Sequence, residues 1–325
     1  MTLHVIDQQT VRRLLTYEAC IPLMREAMIA LSAGRTRQTL RQIIDLGGGG
    51  RAFGVMPGSG PATFGAKLIS VFPENFAKGI QSHQGAVLLF DPDSGALAAV
   101  IHAGEVTAIR TAAATAAATD ALARPDASRL AILGYGEQAH EHARAMVQVR
   151  TVREIRIWGR SAERAGVLAR HLEEELERPV TVAASAREAV TDADLICTVS
   201  AAAEPILEGG WVMEGAHVNL VGSSRLGPRE VDDALVVRGR LFADHREGVL
   251  RQGAEVRHAI EAGLIGEDHV LGEIGEVMAG TLAGRTAPDQ VTLYKSLGAI
   301  VQDLYAGWHI LARAKAEGLG TTAAF

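Results

Sequence analysis

Residues 129 to 159 read as an apolar strand, a glycine turn, a helix and a second strand, and they begin in the middle of the chain rather than at its front. The run Arg129-Leu-Ala-Ile-Leu-Gly-Tyr-Gly-Glu-Gln-Ala139 is followed by a helical stretch to about Val149 and by Glu154-Ile-Arg-Ile-Trp158. In such a unit Gly134 makes the tight turn, Gly136 lets backbone approach a pyrophosphate, and Ala139 allows close helix packing. Glu137 and Gln138 open the helix, whose N-terminal N–H groups and dipole favour phosphate, and they join the expected cofactor-binding positions. The motif alone is weak, but its flanking strands and helix are all present.

At 325 residues the chain is longer than the ~250–300 at which single cores stop growing, so two domains are expected. Before residue 105, one helical pattern (17–33) precedes strand-like runs at 41–46, 51–56, 64–72, 84–90 and 96–102, with Asp91-Pro-Asp-Ser-Gly95 marking a hairpin. The alanine-rich run from Thr111 to Ala123 reads as a closely packed helix. After Leu130 strands alternate with helices, the strands falling at 130–133, 155–158, 180–183, 195–198, 217–221 and 236–242. Residues 282–288 read as loop, and from Thr292 to Lys315 the pattern is helical again. The expected fold class is therefore α/β: a Rossmann-type doubly wound parallel sheet (113–291) inserted in a sheet-rich α+β substrate and dimerisation domain (1–112 and 292–325).

A formal net charge of -6 argues against nucleic acid or an anionic membrane as partner. Cys20 and Cys197 form no C-x-x-C, which fits a reducing cytoplasm. There is no basic-then-apolar leader and no window of ~18 apolar residues, so the expected location is cytoplasmic.

Of 32 basic residues only four are lysine, at 67, 78, 295 and 315. Lys67 lies in Phe64-Gly-Ala-Lys-Leu-Ile-Ser-Val71, where strand alternation puts it on one face with Gly65, Ile69 and Val71. An ammonium held there suits carboxylate binding or proton transfer; the competing reading is an edge-strand lysine that discourages aggregation. Arg41 and Arg110, either solvated or convergent with Lys67, can complete a cationic grip on a carboxylate. His83 is a candidate substrate-binding residue, whereas His102 reads as structural. His140 and His142, two apart, fall on different faces of a helix, and no metal site is expected. The acidic run Glu173 to Glu177 reads as a solvated face. No G-x-S-x-G elbow and no P-loop occurs.

Dinucleotide preference is read after the second strand. NAD-specific units carry an acid there for the ribose 2′-hydroxyl, but Trp158 is followed by Gly159-Arg160-Ser161. A guanidinium and a hydroxyl suit a 2′-phosphate, so NADP(H) is favoured and NAD(H) remains possible.

Several runs resemble the ornithine cyclodeaminase/mu-crystallin family: Gly54-Val-Met-Pro57, the Lys67 strand, Ser82-His-Gln84, Val87 to Asp91, Gly104 to Ala113, the Gly134 loop, Val221-Gly-Ser-Ser-Arg225 and Tyr294 to Gly298. The resemblance covers nearly the whole chain. It implies a homodimer with its active site between the two domains, Arg41, Lys67 and Arg110 as the carboxylate-binding trio, and Thr198, Ser200, Val221 and Leu297 along the nicotinamide side.

The chain departs from the cyclodeaminases at Ser224, where those enzymes carry an aspartate. Serine is a poor general base without a partner. Similar sequences with serine here are ketimine and imino-acid reductases or mu-crystallin itself. The expectation is NAD(P)H-dependent reduction of an imine next to a carboxylate, giving an L-amino acid and reversible as an amino-acid dehydrogenase, with Lys67 and Ser224 as catalytic candidates. Ornithine cyclodeamination and cofactor-dependent binding without turnover are the alternatives. Arg225 beside Ser224 raises iminosuccinate among the open-chain imines.

Overall fold

The computed structural model describes residues 2–324. Its contacts divide the chain into two compact units, Met1–Thr111 with Ala299–Phe325, and Ala112–Gly298.

The first unit opens with β1 (Thr2–Ile6), α1 (Gln8–Leu14) and α2 (Tyr17–Ser32). There follow β2 (Arg37–Gln38), β3 (Gln42–Gly47), β4 (Arg51–Ser59), β5 (Phe64–Val71), β6 (His83–Phe90), β7 (Leu97–His102) and α3 (Ala103–Leu122). The strands form a mixed sheet ordered β1-β7-β6-β5-β4-β2, with β3 also on β4. Antiparallel pairing joins β4 to β7 in sequence order, with short connections between β4 and β5 and between β6 and β7 and a longer one, residues 72–82, between β5 and β6. The β6–β7 hairpin forms where Asp91-Pro-Asp-Ser-Gly95 predicts it: Asp91 Oδ1 accepts the Ser94 N–H at 2.8 Å, and Gly95 takes φ +72°. Helix α3 starts earlier than its alanines suggest, and it is buried on almost every side, as a helix without a polar stripe must be.

The second unit contains β8 (Arg129–Leu133), α4 (Glu137–Val149), β9 (Glu154–Trp158), α5 (Ala162–Leu176), β10 (Val180–Val182), α6 (Ala186–Val190), β11 (Leu195–Thr198) and β12 (His217–Leu220). It continues through α7 (Asp233–Arg238), β13 (Arg240–Ala243), α8 (Arg246–Gln252), α9 (Ala254–Glu261), β14 (Val270–Glu273), α10 (Ile274–Met278) and β15 (Thr292–Lys295). Its sheet runs β10-β9-β8-β11-β12-β15-β13-β14, with every described pairing parallel. Strands β8, β11 and β12 are almost wholly buried; the central residues of β8 and β11 are apolar, whereas the polar His217 and Asn219 of β12 are buried in hydrogen bonds to Thr292 and Thr119. The chain then returns to the first unit as α11 (Ile300–Glu317) and β16 (Thr321–Ala324), α11 packing on α2 and on β4, β5 and β6.

Two stretches differ from the sequence reading. Val236 to Phe242 is not one strand: Asp232 accepts the Leu235 N–H at 2.9 Å and starts α7, and only from Arg240 does β13 begin. Thr292 to Lys295 is not the start of the tail helix but the fully buried β15, between β12 and β13, so the return to the first unit comes at Ala299. Four residues are too few for a period to distinguish strand from helix. None of the described helices is long and apolar enough to cross a membrane.

The buried sheet carries one ion pair with no access to water. Lys295 Nζ lies 2.7 Å from Glu255 Oε2, both side chains 0% exposed, and donates to the Ser223 carbonyl at 2.6 Å. Lys295→Ala leaves Glu255 buried without its cation, and the expected loss is about 3–5 kcal/mol in urea unfolding. A Lys295→Met/Glu255→Leu pair should lose less than Lys295→Ala alone; additive losses would contradict this account of the pair.

Candidate active site

Lys67 lies in a central strand, pairing with Met56 of β4 on one side and Val87 of β6 on the other. That position rules out the edge-strand role. The side chain is buried on the face it shares with Gly65 and Ile69, 3% exposed. Its ammonium donates to Asp303 Oδ1 at 3.2 Å, and Arg110 Nε donates to the same oxygen at 3.1 Å. Arg110 Nη1 also donates to Gln302 Oε1. Asp303 and Gln302 are adjacent on α11, the helix packed on the sheet that carries Lys67.

One carboxylate therefore faces two buried cations, and half-buried Arg41 adds a third charge that acts on Lys67. Burial pulls the Lys67 ammonium down to about 7; attraction to Asp303 resists this, and repulsion from Arg110 and Arg41 adds to it. His83 is pushed down to about 4 by burial and then by Lys67, Arg110 and Arg41, so its imidazole is neutral at pH 7. The four residues singled out in this half of the sequence thus converge. His102 is structural: its Nδ1 accepts the Glu105 N–H at 3.1 Å in the first turn of α3. Asp303 Oδ2 is buried and accepts no hydrogen bond among the described residues. Cations so enclosed, in excess of the anion between them, favour a further anion beside them.

The glycine turn of the second unit has the form the sequence demands. Gly134 takes φ +144°, and a Cβ there would lie 2.8 Å from the Val199 carbonyl oxygen. Gly136 is the N-cap of α4 and has no side chain to occupy the first turn's N–H groups; Ala139 is fully buried behind it. The buried Oε1 of Gln138 has no hydrogen-bond partner among the described residues. A bare helix N-terminus, a cradle a Cβ would fill and an orphaned polar atom fit the phosphates of a dinucleotide, with Glu137 opening the same turn. After β9, Gly159 is followed by exposed Arg160 and by Ser161, whose Oγ accepts the Arg164 N–H at 3.3 Å as the N-cap of α5. Ser161 keeps its hydroxyl proton to donate.

Thr198, Ser200, Val221 and Leu297 lie at or just beyond the C-terminal ends of β11, β12 and β15, where an open parallel sheet binds ligands. Their organiser was not found from the sequence. Glu230, 0% exposed, accepts Thr198 Oγ1 at 2.8 Å and Ser200 N, Ser200 Oγ and Gly222 N at 2.7 Å each. Burial pushes its carboxyl above the usual range against those hydrogen bonds and the charge of Lys295. Asp244 does the same for the next loop, its Oδ2 accepting Leu297 N at 2.7 Å and Gly298 N at 2.6 Å. Neither carboxylate sits in a motif; each is recognisable only once the strand ends are side by side. Ser224 is half-buried in the segment that follows Gly222.

The family model described as "Ornithine cyclodeaminase/mu-crystallin family" matches residues 2–318. The chain belongs to the ornithine cyclodeaminase/mu-crystallin family. The ketimine reductase mu-crystallin of Rattus norvegicus is 37% identical over 291 residues, 88% of this chain and 89% of the relative. Among solved structures, the Δ1-pyrroline-2-carboxylate reductase of Thermococcus litoralis, in complex with NADH and L-proline, matches with a TM-score of 0.95 at 30% identity, over 98% of this chain and 99% of that one. The iminosuccinate reductase of Paracoccus denitrificans, in complex with NAD+, matches with a TM-score of 0.92 at 28% identity over 100% of both chains.

Lys67 should lose its proton at about pH 7, so binding of a small carboxylate such as pyruvate, measured by calorimetry at stepped pH, is expected to weaken as pH rises through that value. Asp303→Asn removes an attraction that holds the proton on Lys67, and the break should move to lower pH. A break that stays in place, or moves up, would mean that another group titrates.

Proposed function

We propose that this protein is an NAD(P)H-dependent reductase of imines conjugated to a carboxylate, giving L-amino acids and able to run in reverse as an amino-acid dehydrogenase. The observation that carries this reading is the pair of buried cations Lys67 and Arg110 sharing one oxygen of Asp303, with the charge of Arg41 acting on Lys67, in a chain that also folds a dinucleotide turn. Relatives named for reduction of ketimines, of pyrroline-2-carboxylate and of iminosuccinate support it.

The arginine forks and the Lys67 ammonium grip the carboxylate and so fix the plane of the imine. When bound, the reduced nicotinamide supplies the hydride that the imine carbon accepts. The imine nitrogen takes a proton from Lys67, or from a water that Ser224 holds, which completes the amine. Glu230 and Asp244 keep the loops of Thr198, Ser200 and Leu297 in place along the nicotinamide side. Ser224 disfavours cyclodeamination, which needs a base that a hydroxyl does not provide. NADPH is the preferred form, on the strength of Arg160 and Ser161 after β9 and the lack of an acid there, while the solved relatives hold NADH or NAD+.

The decisive assay is a panel of pyrroline- and piperideine-2-carboxylate, and pyruvate or oxaloacetate with ammonia, run with both NADPH and NADH. Turnover of at least one imine is expected, and Lys67→Ala should lower its kcat/KM by at least about tenfold with cofactor affinity unchanged. A chain that binds cofactor without turnover is a binding protein; ornithine converted to proline without net cofactor change revives the cyclodeaminase. NADH binding tighter than NADPH by about tenfold would overturn the cofactor preference.

The same reading takes the protein as a homodimer. Ile43, Ile44 and Leu46 on β3 are 45%, 57% and 50% exposed, an apolar strand that a second copy would cover. Ile44→Asp is expected to shift the sedimentation coefficient from dimer to monomer; a wild-type monomer would refute this assignment.

A further inference from the structure

Helices α4 and α5 pack side by side, and on their outer surface three side chains aim at one point. Within α4, His140 and His142 diverge as their spacing predicts. His142 is buried, with Nδ1 2.7 Å from the Gln138 carbonyl and Nε2 3.1 Å from Thr115 Oγ1. His140 turns instead toward α5, placing Nε2 2.9 Å from Glu175 Oε2. His171, one turn before Glu175 on α5, places its own Nε2 3.8 Å from that same oxygen. The ligand atoms of all three lie within 4.8 Å of one another.

We propose that His140, His171 and Glu175 form a binding site for a divalent transition-metal ion of the Zn2+ class, which clamps α4 to α5. A tetrahedron built on Zn–N bonds of about 2.0–2.1 Å has edges of about 3.3 Å. The two separations to Glu175 Oε2, 2.9 and 3.8 Å, bracket that edge, and the third lies within 4.8 Å. Water supplies the fourth ligand on the exposed side, where His171 is 64% accessible.

The surroundings are those of a ligand set rather than a chance cluster. His140 Nδ1 faces Glu141 Oε1 at 3.3 Å, and Glu141 is 1% exposed. When a metal ion takes the place of the hydrogen that Nε2 shares with Glu175 Oε2, a carboxylate on Nδ1 holds the remaining ring proton there, the usual support for a metal-bound histidine. Arg144 holds the other oxygen of each carboxylate, Glu141 Oε2 at 3.2 Å and Glu175 Oε1 at 2.7 Å, and leaves Glu175 Oε2 facing the histidines. The i,i+4 spacing on α5 brings His171 to the same oxygen, and its ring lies on that of His140 with centroids 5.1 Å apart, so both imidazoles and the carboxylate face one point. Two protonated imidazoles there would repel; a shared metal ion makes the approach favourable.

The site stands one turn into the helix that carries the phosphate loop and links it to the helix that follows Ser161. Occupancy would therefore stiffen the frame of the dinucleotide turn without touching it. The test uses the full chain, stripped with EDTA and titrated with Zn2+ by calorimetry and with Co2+ by visible absorption. One saturable site per chain, an intense tetrahedral Co2+ band and a zinc-dependent rise in melting temperature are expected. His171→Ala should abolish the Co2+ band, and Glu141→Gln should weaken Zn2+ binding by about 10–100-fold, with metal-free melting unchanged for His171→Ala. His258→Ala, on a different helix, should leave the affinity as it is. Binding that His171→Ala does not alter, or an octahedral Co2+ spectrum with no saturation, would overturn the proposal.

Discussion

Asp303 is asked to do more than one carboxylate can. Lys67 and Arg110 both donate to its Oδ1, and all three side chains are buried. Desolvation of an ammonium and a guanidinium against one carboxylate leaves a positive surplus, which proton loss or a further anion relieves. The protein answers part of the strain by weakening the lysine's hold on its proton. The rest is available as binding energy for a carboxylate. Nothing else in the first unit needs to be unusual: α2 and α11 supply the packing, and the sheet supplies the straight row that puts Lys67 under α11.

The second unit uses buried carboxylates for the opposite purpose. Glu230 and Asp244 accept hydrogen bonds from backbone at strand ends, where donors would otherwise lie unpaired once water is excluded. Gly222 shows how tight the arrangement is, since a Cβ there would come within 2.5 Å of Glu230 Oε1 and 2.2 Å of the Ser200 carbonyl oxygen. Each acid fixes a loop, not a ligand. The loops so fixed are those of Thr198, Ser200 and Leu297, at the C-terminal ends of the parallel strands.

The sequence reveals what depends on short range. The Gly134 turn, the Asp91 hairpin and strands β8, β9 and β11 follow from local sterics and short apolar runs, and appear in the fold. Lys67 could be singled out because lysine is scarce in this chain, and its burial follows from strand alternation. Asp303, Glu230 and Asp244 were out of reach for a common reason. Each lies far along the chain from most of the groups it serves, Asp303 by 236 positions from Lys67. An acid on an amphipathic helix or beside an arginine reads as solvated until packing shows otherwise. The strand at Thr292–Lys295 was missed because its four residues are fully buried and show no period.

The two roles considered for Lys67, carboxylate ligand and proton donor, are not exclusive under the proposed reaction. With a pKa of about 7, the free protein holds the lysine near the midpoint of its titration at neutral pH. An arriving carboxylate adds a negative charge beside it and favours the ammonium, as Asp303 already does. Binding therefore loads the proton. Reduction of the imine then raises the basicity of the nitrogen, which draws that proton at the moment the hydride arrives. A lysine with an ordinary pKa would bind the carboxylate but hold its proton too firmly to pass it on. Burial first, and then repulsion from Arg110 and Arg41, tunes the group to do both.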